Sequence, residues 1–195
     1  MPLGAHKAAM MGTAGVSSET VVLLFDQDAS SDASLEITSG ITSAYSSYVI
    51  SWYNCNPETD GVHWQFQANA SGESGYNETV TNTYFESYHG EGGAGANVAY
   101  IVGRDQAQGT GYIDLSQIVG SDADQSCAGE LQIFNPSSTT YVTHFISRCQ
   151  MNYKVEMSID CFVGGYFNTT AALTNLSFKM SSGDFDGTVK MWGVK

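Results

Sequence analysis

Basic residues are scarce. Seven Lys and Arg stand against 20 Asp and Glu, a formal net charge of -13 in 195 residues, and 14% of residues are charged where a typical globular domain has about 25%. Proteins that bind duplex nucleic acid neutralise phosphates with clustered Lys and Arg, whereas the stretch from Glu19 to Glu130 holds 16 acids and one such base, Arg104. This balance argues against nucleic acid and anionic lipid as partners. No run approaches the roughly 18 apolar residues of a membrane span. Gly4, His6, Lys7 and Gly12 break up Met1 to Val16 as a secretory signal, so neither membrane insertion nor a cleaved leader is expected.

Paired cysteine spacing is missing too. Cys55, Cys127, Cys149 and Cys161 form no CxxC, which removes the usual support for zinc. Reduced, buried thiols are expected, with Cys161 continuing the apolar side of Val155, Met157, Ile159 and Val163.

Catalytic frames are equally absent. Gly72-Glu-Ser-Gly75 has the wrong spacing for a nucleophile elbow. His63, His89 and His144 lie far apart without a His-Glu-x-x-His frame, and His63 is expected on the wet face of a strand. Among 20 acids some pair will meet a glycosidase spacing by chance, so that pattern carries no weight. No catalytic residue and no enzyme activity are expected. Asp26-x-Asp28-x-Ser30-x-Asp32 begins like a calcium loop but lacks Gly at the sixth place and has Ile37 where the bidentate Glu belongs. No cofactor is expected. Calcium is the one ion weighed, with Asp122, Asp124, Asp184 and Asp186 as further loop ligands.

What the chain does have is period-two alternation. Val62, Trp64, Phe66 and Ala68 alternate with His63, Gln65 and Gln67; Leu176, Phe178 and Met180 with Ser177 and Lys179; Val189, Met191 and Gly193 with Lys190 and Trp192. Each is the pattern of a half-buried strand. Weaker runs occur at 20–25, 35–38, 48–54, 80–85, 98–102, 112–118, 131–134 and 141–147, separated by turn-rich spacers such as 26–32, 69–75, 90–95 and 181–187. No helical pattern of ten residues intervenes. The sequence predicts an all-β fold, a single antiparallel β-sandwich of about ten strands, jelly-roll-like, over 17–195, with a short N-terminal extension over 1–16.

Aromatics cluster in the acidic first half. Tyr45, Trp52, Tyr53 and Tyr88 are candidate glycan contacts, since Tyr or Trp beside Asp, Asn and Gln can stack on and hydrogen-bond a sugar; about half the rings of alternating strands must instead face the core.

Three segments, Leu3-Gly-Ala-His-Lys-Ala-Ala9, 129–141 and 178–193, with 48–67 and 164–170 in support, resemble a family of short virion proteins of marine tailed bacteriophages, described as tail, tail-fibre or structural proteins. The resemblance implies a virion component, a tail or tail-fibre protein assembled in the host bacterial cytoplasm. It implies that the 1–16 peptide docks on other virion proteins, with Leu3, His6, Lys7, Met10 and Met11 as its docking residues, and that the β-domain is displayed and able to bind a host-surface glycan or protein. A homotrimer is expected, favoured by the likeness to tail fibres and by edge strands that lack Lys guards in the first half of the domain. Two alternatives stand beside it: a capsid decoration protein without a receptor, and a carbohydrate-binding module or glycan-cleaving enzyme.

Overall fold

The computed structural model describes residues 20–93 and 95–195, so the expected docking peptide 1–16 lies outside the described residues. Over that range the alternating runs form antiparallel strands. In chain order they are β1 (Val21–Asp32), β2 (Leu35–Ile37), β3 (Ser47–Pro57), β4 (Trp64–Ala70), β5 (Val80–Gly90), β6 (Asn97–Tyr100), β7 (Gln106–Gly109), β8 (Ile113–Asp114), β9 (Cys127–Phe134), β10 (Thr143–Tyr153), β11 (Met157–Phe167), β12 (Leu173–Met180) and β13 (Phe185–Val194). The sole helical element among the described residues is a 3-10 turn at Val102–Arg104.

The strands build two antiparallel sheets, a β-sandwich. The larger has nine strands in the order β1-β13-β3-β9-β10-β11-β5-β6, with β7 also paired to β5; the smaller has four, β2-β12-β4-β8. Their facing sides share one core. At its centre Trp64 of β4 meets Phe185 of β13 edge-on at 5.0 Å and Phe178 of β12 stacked at 5.9 Å. Phe66 of β4 meets Phe145 of β10 edge-on at 5.1 Å. Aromatic pairs in these geometries add about 0.5–1.5 kcal/mol beyond the area they bury.

The strands depart from the expected runs in two ways. β1 runs on through Asp26 to Asp32, a stretch expected to be a turn; it is an edge strand whose acids face solvent, so it shows no apolar alternation. β7 is a short polar strand, Gln106-Ala-Gln-Gly. Two positions expected on a wet face, Gln67 and Ser177, are fully buried. The smaller sheet's outer side is roofed: the Gln67 amide donates to the Gly111 carbonyl (2.9 Å) and the Glu78 carbonyl (3.1 Å), and the Tyr112 hydroxyl donates to Ser177 Oγ (3.0 Å). Val155, expected on the apolar side leading to Cys161, is exposed between β10 and β11; the other members, Met157 to Val163, do point inward.

Candidate binding site

Among the described residues the outer face of the nine-stranded sheet carries no comparable roof, and strand register places its side chains in rows. One row crosses seven strands, running Phe85, Phe162, Arg148, Glu130, Ser51, Lys190, Asp26 from β5 to β1. Two residues further along the strands, about 6.7 Å away, a second row runs Thr83, Gly164, Ile146, Gln132, Val49. Between them lies a groove of about 370 Å³, within the roughly 300–1,000 Å³ of small-ligand sites.

Each part of the groove has a local cause. Phe85 and Phe162 are cross-strand partners whose rings stack at 4.8 Å, 4° from parallel. The Arg148 guanidinium covers Phe162 at 5.2 Å, held there by three hydrogen bonds that it donates to the Asp160 carboxylate (3.0, 3.0 and 2.6 Å). That carboxylate raises the Arg148 pKa further. The Arg148 charge is thus answered within the sheet, whereas the side chains of Glu130 and Gln132 make no hydrogen bond among the described residues. The floor is low because Gly164 has no side chain between Thr83 and Ile146.

The expected glycan aromatics divide. Trp52 is 1% exposed and packs in the core against Trp64 at 6.1 Å. It is therefore unavailable to a ligand: in β3 the set Tyr48, Ile50, Trp52 faces inward. Tyr45 is half-buried, edge-on to Tyr48 at 5.7 Å, and fills the space above Gly193, where a Cβ would come within 2.5 Å of its ring. Tyr53 is 39% exposed on the outer face beside Lys190, outside the groove. Tyr88 lines a separate cleft of about 270 Å³ with Glu86, Gln117, Tyr153, Met157 and Ile159.

That second cleft holds the most perturbed acid. Glu86 is 4% exposed, and its burial pushes the carboxyl pKa up against the nearby Gln117 amide and Arg104 guanidinium. Arg104 binds Asp114 at 3.0 Å. His63 is half-buried with its Nδ1 enclosed, not on a wet face as expected, and that burial lowers its pKa against the opposing Asp114 charge. The Asp26–Asp32 acids are spoken for singly: Asp26 pairs with Lys190 at 3.0 Å, Asp28 accepts from Thr188 Oγ1 at 2.7 Å and Asp32 from the Ser30 amide at 3.0 Å. No three His, Cys, Asp or Glu side chains converge on a metal position among the described residues.

Sequence reasoning missed Phe85, Phe162, Gly164, Glu130 and Gln132. Their one legible signal is Gly164-Gly165 within a strand pattern, which marks a bulge or a close approach. No protein-family model, no curated protein and no solved structure matches the chain.

Proposed function

We propose that the chain is a non-catalytic virion component of a tailed bacteriophage, a tail or tail-fibre protein that is anchored through residues 1–16 and displays the β-sandwich. The observation that carries this reading is the asymmetry of the two sheets. One outer face is roofed by its own chain, while the other is broad and, among the described residues, uncovered, presenting Leu23, Phe85, Phe134 and Ile146. Exposed apolar surface on such a face marks an interaction site. The strand order supports a jelly roll: β1, β13, β3, β9 face β2, β12, β4, β8, eight strands of which successive members change sheet except at β4 to β8, with β5 to β7 and β10 to β11 as additions that widen one sheet.

Mass spectrometry of purified particles tests the reading. The chain is expected at a fixed ratio to other structural proteins, and deletion of residues 2–15 should remove it from particles while leaving the melting transition of the purified protein unchanged. Its absence from particles, or a collapsed melting transition in the deletion, would overturn the proposal. Capsid decoration is the second outcome, recognised by location on the head.

A further inference from the structure

We infer that the groove over Gly164 is a binding site for a neutral oligosaccharide, an assignment that deepens the display reading and rests on it for biological context. Three independent observations converge on it. First, Gly164 is a glycine that the fold does not require: a Cβ there would find only the Ile146 side chain and the Phe145 carbonyl, both at 4.0 Å. Glycine at an outward mid-strand position marks close approach by a ligand or another backbone. Second, the walls are apolar, from the Phe85–Phe162 pair and Ile146, and suit the C–H faces of a sugar ring.

Third, Glu130 and Gln132 stand at the rim with planar polar groups that make no side-chain hydrogen bond among the described residues. A carboxylate accepts and a carboxamide both donates and accepts, which matches vicinal hydroxyls. Charge narrows the class. Arg148 is held by Asp160 and also feels the charge of Glu130 opposite it, so the one cation of the groove faces two carboxylates, and the chain carries -13 overall. Sulfated, phosphorylated and uronate-bearing glycans are therefore repelled.

The full-length protein would be applied to a printed array of neutral hexose and N-acetylhexosamine oligomers beside sulfated and uronate oligomers. Titration then follows Trp192, which neighbours Val49 in the second row. A neutral oligomer is expected to bind and the anionic ones not. Gly164→Leu should weaken binding by at least about tenfold and Gln132→Ala by about threefold, each with an unchanged melting transition. Binding of no neutral oligomer, preference for the anionic ones, or full binding by Gly164→Leu would each overturn the assignment. So would a self-association, seen by light scattering without sugar, that Gly164→Leu abolishes, because the groove would then be a contact between copies. Absence of the chain from particles defeats the display reading alone and leaves the sugar titration standing, so the two failures are distinguishable.

Discussion

Gly164 and Gly165 are consecutive in β11 and answer to opposite sides of the sheet. A Cβ on Gly165 would stand 2.6 Å from the Thr81 carbonyl and 2.8 Å from the Phe145 ring, whereas one on Gly164 meets nothing nearer than 4.0 Å. Gly165→Ala is therefore expected to destabilise the protein by about 1–3 kcal/mol through overpacking. Gly164→Ala should be neutral or stabilising by up to about 1 kcal/mol, because glycine weakens a strand interior. Urea midpoints of the two variants decide it, and equal losses would contradict the assignment of faces.

Glu86 should shape the pH dependence of stability. Burial raises its folded pKa above the ordinary value of 4.5, so the folded state keeps a proton that the unfolded chain releases. The associated stability is whole below about pH 4.5 and is lost as pH rises above it. Glu86→Gln is expected to melt higher than the parent at pH 7 to 8, with the gap closing towards pH 4. His63 acts in the opposite sense: its folded pKa is lowered from 6.5, so stability is lost as pH falls below that value. Melting curves across pH 4 to 8 test both, and a Glu86→Gln difference that stays constant with pH would reject the first.

Cys149 stands opposite Cys161, and Cys55 opposite Cys127; all four thiols are free and buried. Burial above all pushes the Cys127 and Cys161 thiols up, which suppresses the reactive thiolate. Iodoacetamide at pH 8 should label the native protein far more slowly than the urea-unfolded chain. A gain in intact mass on reduction of freshly isolated protein would show disulfides instead.

The homotrimer expected from the sequence would have to assemble against -13 per copy. Missing Lys guards no longer compel it, since the edges are protected in other ways: β2 and β8 have three and two residues, and β1 is interrupted by register shifts at Leu23/Phe25 and Ala29/Asp32. Association through the face should strengthen with salt, as the Debye length falls from about 10 Å at 0.1 M to about 3 Å at 1 M. Sedimentation across that series should show mass rising with ionic strength, and a monomer throughout would refute the trimer.

The sandwich was legible wherever one strand face is dry and the other wet, as in Trp64, Phe66 and Ala68 or Val189 and Met191. Alternation failed where both faces are covered, at Gln67 and Ser177. It failed also where both faces carry rings: in β3 Trp52 is buried and Tyr53 exposed, and no periodicity distinguishes them. The groove was illegible because Val49, Phe85, Glu130, Ile146 and Phe162 come together only through the register of five strands.

Those five strands differ in kind. Val49, Glu130 and Gln132 sit on β3 and β9, which belong to the proposed jelly-roll frame, while Phe85, Ile146, Phe162 and Gly164 sit on β5, β10 and β11, which lie outside it. The polar rim of Glu130 and Gln132 is thus carried by β9, which lies in the chain between the wall residue Phe85 on β5 and the wall residues Ile146 and Phe162 on β10 and β11. Replacement of β5, β10 and β11 would change the wall and the Gly164 floor and leave the rim behind. The same strands turn Phe145 and Phe167 inward against Phe66 of the smaller sheet, so a change of groove wall by replacement would have to be matched by a change in the core beneath it.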